Sequence, residues 1–313
     1  MKNTLVIAMY FLLLNAVKAQ TTVLLSPLSG EISESSGLVY LNQKVLSHND
    51  SGGKPELYEI DTATGKVTRT VVVENAVNID WEDICADQTY IYIGDFGNNQ
   101  GNRTDLKIYR IAIADYLGSS SDTVLADTIS FAYANQTNFT QANMATNFDT
   151  EAMLAIGDSL YIFTKNWKNS WTNIYCVYNK PGNYSIPKKD SLDVKGLITG
   201  AAYNSTNQTI ILTGYNIILS PFVAEVTGFT NGNFSNVVLK KNVLTIPSTS
   251  STQVEGICHY KNDEYYISSE ASLGKSGALF HLAMNNSMSI SDFSEEESLL
   301  YPNPVSNILH INN

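Results

Sequence analysis

A pattern that occurs five times along the 313 residues constrains the fold more than any other feature of the sequence. Each unit begins with a strand-like segment that opens on a polar or acidic residue, followed by a short and then an apolar side chain. A turn rich in Asn, Asp and Gly leads to a second strand rich in Tyr, Ile and Leu, which ends on a polar cluster. A third apolar strand follows. The unit WEDICADQTYIYIGDFGNN, which begins at Trp81, shows this order most clearly.

One polar residue marks the start of each unit, and these five residues serve as anchors: Ser36, Glu82, Glu151, Thr199 and Glu255. Successive anchors lie 46, 69, 48 and 56 residues apart. Units of this length with three or four strands are typical of a β-propeller. We therefore predict an all-β protein whose residues 20–290 form a β-propeller, with five blades favoured and six as the alternative. The 69-residue interval contains an excess segment, 119–147, that fits a long outer strand with a loop or a further element.

The segment TTVLLSPL, residues 21–28, precedes the first unit and needs a partner. The fifth unit ends near Met284 and lacks its outermost strand. We predict that the N-terminal strand completes the last blade, because an open seam would leave sheet edges exposed.

The N-terminus is typical of a secretory signal. Lys2 precedes an apolar run, and Val17 and Ala19 stand at −3 and −1 of a cleavage site before Gln20. We predict a signal peptide at 1–19 and a protein that is secreted to the medium or held at the cell surface. No later segment has the roughly 18 consecutive apolar residues of a membrane span.

The chain is acidic, with a formal net charge of −11 and no Lys/Arg-rich run. This argues against nucleic acid and anionic membrane surfaces as partners, since both attract clustered positive charge. We expect a monomer with a small-molecule or glycan ligand. The three cysteines, Cys85, Cys176 and Cys258, are too few for a disulfide framework. They are expected as buried small side chains, with one disulfide and a free thiol as the alternative.

The last residues, 291–313, differ from the repeats. Tyr301-Pro302-Asn303-Pro304 precedes an apolar alternation. This start resembles the type A sorting domain of the type IX secretion system of Bacteroidetes. The resemblance implies a bacterial protein that passes through the periplasm, with the export machinery as a partner. The family pattern continues for several strands beyond the point that corresponds to Asn313, so the tail is expected to be a linker and a truncated sorting signal. A disordered tail is the alternative.

The anchors explain why strand-like segments open on carboxylates. The first strand of each blade of a propeller lines the central channel, so the five anchors are expected to form a ring. Three glutamates in one ring repel one another, and burial makes their charged forms less favourable still. Ca²⁺ takes six to eight oxygen ligands, which three Glu, one Ser and one Thr can supply. Ser36, Glu82, Glu151, Thr199 and Glu255 are therefore predicted to bind Ca²⁺, with hydrated or backbone-bonded carboxylates as the alternative. Zinc is disfavoured because no Cys/His cluster occurs.

The second strands end on polar clusters that are expected to surround a funnel on one face of the propeller. The predicted ligand contacts are Asn49, Asp50, Asn98, Asn99, Arg103, Lys165, Trp167 and Tyr215. His48, Asp95 and Glu270 belong to the same clusters and are the candidate general bases. Asn, Asp and Gly are also ordinary turn residues, which is the alternative for each position.

The inner strands resemble those of the calcium-dependent apyrases, secreted nucleotidases. Ser36-Gly37-Leu38-Val39 and Glu255-Gly256-Ile257 match the motifs of that family in kind. Glu82 follows a Trp instead of preceding one, and Glu151 precedes Ala152 instead of a Ser. The resemblance implies a five-bladed propeller, a central Ca²⁺ and hydrolysis of nucleotides.

Three functions remain open from the sequence. The first is a Ca²⁺-dependent hydrolase of phosphate esters or anhydrides, in which Lys165 and Arg103 neutralise phosphates. The second is a non-catalytic module that binds a glycan or protein and holds a structural Ca²⁺. The third is a lactonase or esterase similar to six-bladed calcium propellers.

Overall fold

A computed structural model describes residues 19–230 and 232–284, together with two short strands at 300–301 and 310–311. Strand β1 (Ala19–Pro27) and a 3₁₀ helix (Gly30–Ile32) precede the first blade. Blade one contains β2 (Ser35–Leu41), β3 (Lys44–Asn49), β4 (Glu56–Ile60) and β5 (Val67–Val73). Blade two contains β6 (Trp81–Ala86), β7 (Tyr90–Asp95), β8 (Lys107–Ala112) and, after helix α1 (Ile113–Gly118) and β9 (Thr123–Val124), β10 (Asp127–Tyr133).

The other three blades follow the same order. Blade three contains β11 (Thr150–Ile156), β12 (Ser159–Thr164), β13 (Thr172–Tyr178) and, after β14 (Gly182–Ile186), β15 (Asp190–Leu192). Blade four contains β16 (Leu197–Asn204), β17 (Thr209–Tyr215), β18 (Pro221–Thr227) and β19 (Val238–Thr245). Blade five contains β20 (Val254–Lys261), β21 (Glu264–Ser269) and β22 (Ala278–Ala283).

The predicted five-bladed β-propeller is confirmed. The inner strands β2, β6, β11, β16 and β20 form a closed ring, in which each contacts the next and β20 contacts β2. One hydrophobic cluster fills each of the five interfaces between neighbouring blades. Because both faces of every blade are covered, the central strands are apolar on both sides, as their sequences indicate.

The predicted closure by the N-terminal strand is also confirmed. β1 pairs antiparallel with β22, from Thr22 opposite Leu282 to Pro27 opposite Ala278. Its first residues pair in parallel with β19 of blade four. The start of the described chain thus joins the last two blades into one eight-stranded sheet and covers the seam.

The long interval between the second and third anchors contains both a long outer strand and further elements. β10 is the outer strand of blade two, and a loop at 134–149 leads to blade three. β9 pairs in parallel with β5 and so extends blade one. The excess residues therefore thicken the outer edges of two blades without adding a sixth.

The inner strands meet most closely one residue after the anchors. A Cβ at Gly37 would lie 2.5 Å from the Ile84 nitrogen, and one at Gly200 would lie 2.3 Å from the Glu255 carbonyl oxygen. In blade two the residue after the anchor is Asp83 instead of a glycine. Its carboxylate accepts the backbone N–H of Ile84 at 2.8 Å and of Met153 at 2.7 Å, which ties β6 to β11.

The predictions on the cysteines, on membrane spans and on the two ends of the chain are tested only in part. Cys85, Cys176 and Cys258 are free thiols, the first and last buried. Among the described residues, no helix is long and apolar enough to cross a membrane. The predicted signal peptide, apart from Ala19, and most of the predicted sorting tail lie outside the described residues. In the tail, β23 (Leu300–Tyr301) pairs antiparallel with β24 (His310–Ile311).

Gly37→Ala should lower the free energy of unfolding by about 3 kcal/mol, because the new methyl group would overlap the backbone of β6. Gly30→Ala is the control, since a Cβ there has no heavy atom within 4 Å. Urea denaturation of both variants checks this. Equal stability of the two would mean that the inner strands are not packed this tightly.

Candidate functional site

Each of the five anchors lies at a β-bulge. The pairing of every inner strand with its neighbour shifts by one residue there, between Ser35 and Leu38 in blade one and between Trp81 and Asp83 in blade two. The other three shifts bracket Glu151, Thr199 and Glu255. A bulge re-aims the side chain of its extra residue away from the regular alternation of the strand. The five-fold repetition of the bulge therefore gives the anchors equivalent positions around the channel, as the sequence predicts.

The three anchor glutamates are buried and interact electrostatically. Burial raises the pKa of Glu82 well above its usual value, and the charges of Asp50 and Glu151 raise it further. Burial likewise raises the pKa of Glu255 to about 8. At neutral pH this end of the channel is therefore an environment in which additional negative charge is unfavourable and a cation is stabilised.

The two hydroxyl anchors connect neighbouring blades. The Ser36 hydroxyl donates to the Glu82 carbonyl oxygen at 2.6 Å, and the Thr199 hydroxyl donates to the Val254 carbonyl oxygen at 2.7 Å. Each bond joins the inner strand of one blade to that of the next, and the Thr199 hydroxyl also lies within hydrogen-bonding reach of the Glu255 carboxylate.

Lys165, at the end of β12, lies among the anchor carboxylates. Its Nζ is 3.1 Å from Oε2 of Glu151, and the side chain is buried. Burial disfavours the ammonium, but the negative charge of Glu151 and of groups such as Glu255 raises the pKa of Lys165 well above its usual value. The rings of Trp167 and Tyr215 lie 5.1 and 5.4 Å from the same nitrogen and stabilise the cation further.

Three carboxylates that are not anchors, those of Asp50, Asp80 and Asp149, lie close to the anchor glutamates. Oxygens of Asp50, Asp80 and Glu82 all lie within 4.8 Å of one another, and this set, the Asp50–Asp80–Glu82 cluster, could hold a metal ion. Asp149 lies next to Glu151 and is held by the Asn98 N–H at 2.6 Å and the Trp167 Nε1–H at 2.7 Å. The region is thus more acidic than the anchors alone suggest.

Two of the predicted general bases are enclosed. His48 is fully buried with its ring edge-on to Trp81 at 5.6 Å, and burial lowers its pKa to about 4. Asp95 is also fully buried, and its Oδ1 accepts from Nη2 of Arg103 at 2.9 Å. Both side chains are therefore placed to hold the surrounding strands in position.

Glu270, the third predicted base, is half-buried and directly follows β21 of blade five. It accepts from Nε2 of Gln253 at 2.5 Å. Burial and the charge of Asp50 raise the pKa of Glu270 to about 7, close to the value that suits a general base at neutral pH.

Arg103 and Asn98 stabilise the loop that follows β7. The Arg103 guanidinium donates to the Gly97 carbonyl at 2.8 Å and contacts Asp105 at 3.1 Å in addition to Asp95. The Asn98 side chain accepts the Arg103 N–H and donates to the Phe148 carbonyl. Their polar groups are used within the protein, so Arg103 is not free to neutralise a phosphate and the Asn98 amide is not free to bind a ligand.

The remaining predicted contacts differ in exposure. Asn49 is bonded through its side chain to the backbone at Glu31 and Glu34. Tyr215 is buried over Lys165, whereas Trp167 and Asn99 are half-buried. Trp167 is therefore the best placed of the predicted aromatic contacts to touch a ligand.

Sequence reasoning omitted Asp80 and Asp149 from the site. Each precedes an anchor glutamate by two residues, in Asp80-Trp81-Glu82 and in Asp149-Thr150-Glu151. This repeated Asp-x-Glu spacing at corresponding positions of two blades is the signal that could have revealed them.

Fold and site together define a five-bladed β-propeller with a cluster of carboxylates around Lys165 at one end of its channel, on the face where the sequence predicts a funnel. No protein-family model matches the sequence, and no curated protein matches it. Among solved structures, a chain of the mitotic checkpoint complex aligns with a TM-score of 0.39 and 10% identity, over 80% of this chain and 62% of that one. A 6-phosphogluconolactonase-like protein from Bacteroides uniformis aligns with a TM-score of 0.38 and 13% identity, over 83% and 68%. Similarity at this level carries no information on function.

Raising the pH should destabilise the protein when divalent cations are chelated. Asp80, Glu270 and Glu255 have folded-state pKa values of about 7, 7 and 8, above those of the unfolded chain. The folded state therefore binds more protons at neutral pH, and its stability falls as pH rises through these values. The lowered pKa of His48 makes stability rise with pH, but only below pH 6.5, which is the pKa of this side chain in the unfolded chain.

In EGTA, the free energy of unfolding at pH 8.5 should be on the order of 2 kcal/mol lower than at pH 6.5. Urea titrations at the two pH values measure this difference. Unchanged or greater stability at pH 8.5 would show that these carboxyls are ionised freely in the folded protein.

Proposed function

We propose that this protein is a secreted calcium-binding β-propeller that binds a ligand at a metal ion in its acidic funnel. The excess of carboxylates over cations supports this proposal. Among the described residues, the funnel groups that interact with one another include one ammonium, that of Lys165, and seven carboxylates: Asp50, Asp80, Glu82, Asp149, Glu151, Glu255 and Glu270. A hard divalent cation with oxygen ligands relieves such repulsion, and Ca²⁺ suits carboxylate and hydroxyl donors.

The charge of the funnel also favours one class of ligand. Lys165 is committed to Glu151, and Arg103 is committed to Asp95 and Asp105. A free anion would therefore find both of these cationic side chains already paired, whereas the hydroxyl groups of a glycan can donate to the carboxylates and coordinate a cation. Trp167 offers a rigid aromatic surface for such a ligand, because its Nε1–H is fixed on Asp149.

Hydrolysis is the second candidate, and the position of Glu270 favours it. Bound Ca²⁺ would polarise a phosphoryl or carbonyl oxygen. Glu270 is half-buried, is oriented by Gln253 and has a pKa of about 7, so it could accept a proton from water. His48 and Asp95 are less suited to this role because both are fully buried.

Calcium should raise the melting temperature of the mature chain. At a concentration 100-fold above Kd, binding adds about 2.7 kcal/mol to the free energy of unfolding, or about 5 °C or more for a domain of this size. Differential scanning calorimetry in Ca²⁺ and in EGTA tests this. Identical melting temperatures would remove the basis for a metal-dependent function.

Substrate turnover separates the two candidates. ATP, ADP and a panel of lactones are incubated with the protein in Ca²⁺ and in EGTA, and phosphate release and ring opening are followed. If the protein is a hydrolase, Ca²⁺-dependent turnover should fall at least 100-fold in Glu270→Gln and stay unchanged in Glu225→Gln, on the side of blade four. Calcium binding without turnover would support the binding module.

A further inference from the structure

We infer that the divalent cation binds off the channel axis, in the Asp50–Asp80–Glu82 cluster, while the Lys165 ammonium acts as a built-in cation for the other anchor glutamates. This inference rests on the proposed binding of a cation in the funnel and specifies its place. It divides the ring predicted from sequence into a metal-binding part, at Glu82, and an internally neutralised part, at Glu151 and Glu255.

The geometry of the cluster suits a single ion. One oxygen from each of the three carboxylates lies within 4.8 Å of the other two. Two oxygens that bind Ca²⁺ at about 2.4 Å from opposite sides are about 4.8 Å apart, so one ion can reach all three. Asp50 follows β3, Asp80 precedes β6 and Glu82 lies in the β6 bulge. The site would therefore connect blades one and two.

Glu82 gives an independent indication of a ligand. Its side chain is only 3% exposed, and within the described part of the chain its carboxylate accepts no hydrogen bond. Buried carboxylates in proteins are normally paired or hydrogen-bonded, because desolvation without compensation is costly. Asp83 and Asp149, its neighbours in the fold, are satisfied by backbone and side-chain donors. Glu151 and Glu255 interact with the Lys165 ammonium, whereas Glu82, among the described residues, has neither a hydrogen-bond donor nor that cation beside its carboxylate.

Gly97 creates the space in which these carboxylates meet. A Cβ at this position would lie 2.1 Å from Oε1 of Glu82 and 2.4 Å from Oδ2 of Asp80. The Gly97 backbone is itself fixed, since its N–H donates to the Asp80 carbonyl at 3.1 Å and its carbonyl accepts from Arg103. The GDFGNN segment thus forms a preorganised wall of the site.

Lys165 explains why the axial position is the less suitable one. Its Nζ lies 3.1 Å from Glu151, interacts with Glu255 and is enclosed by the Trp167 and Tyr215 rings. A divalent ion coordinated by Glu151 would have to displace or directly face this ammonium. The Ser36 and Thr199 hydroxyls, which donate to the next blade, are then ties between strands.

Isothermal titration of Ca²⁺ into the mature chain and its variants tests the assignment. The wild-type protein should bind one ion. Asp80→Asn and Gly97→Ala should each weaken binding at least 30-fold, the first by removing a ligand and the second by filling the site. Glu151→Gln removes a nearby charge but no ligand, so it should weaken binding much less than either of these variants. Glu34→Gln, at the exposed rim, controls for the general loss of negative charge.

Removing the built-in cation gives a test in the opposite direction. Lys165→Met leaves Glu151 and Glu255 without their ammonium, so this variant should bind a second Ca²⁺ on the axis. Circular dichroism in EGTA identifies any variant that does not fold. Asp50→Asn, at the half-exposed edge, replaces Asp80→Asn if the latter fails.

The outcomes are distinguishable. If the wild-type protein binds no Ca²⁺, the proposed function is wrong and the site with it. If it binds Ca²⁺, but Glu151→Gln abolishes binding while Asp80→Asn and Asp50→Asn retain it, the ion lies on the axis and the inference alone is overturned.

Discussion

Repulsion among buried carboxylates is the constraint on which the rest of this structure depends. Five bulged inner strands direct polar side chains towards one end of a narrow channel, and three of these are glutamates. At low dielectric each added negative charge costs more than in water. The arrangement is stable only with compensating positive charge or retained protons. The Lys165 ammonium, which the Trp167 and Tyr215 rings stabilise, and the proposed metal ion would both supply this positive charge.

The propeller supplies the rigidity that this requirement demands. Hydrophobic clusters fill every interface between blades, and β1 covers the last seam. Close contact at Gly37 and Gly200, together with the bonds of Asp83 to two inner strands, fixes the strands just below the anchors. The carboxylates therefore cannot move apart to relieve their repulsion, so positive charge or retained protons have to compensate it in place.

The sequence predicted the blades and the place of the anchors in the inner strands because both repeat along the chain, and it predicted the closing strand because the fifth unit lacks an outer strand. It could not predict the partners of side chains, which depend on contacts between distant segments. Arg103 binds Asp95 and Gly97 instead of facing the funnel, and His48 is buried against Trp81 across a blade interface. The pairing of Lys165 with Glu151 depends in the same way on the register of β12 against β11.

Anomalous diffraction from crystals grown with Ca²⁺, or with Tb³⁺ as a heavier substitute, tests the central claim most directly. We expect one strong peak between the carboxylates of Asp50, Asp80 and Glu82, with the Lys165 ammonium still in contact with Glu151. A peak on the axis among Glu82, Glu151 and Glu255, with Lys165 displaced, would contradict the division of the ring. The absence of any peak in the funnel would contradict the metal site altogether.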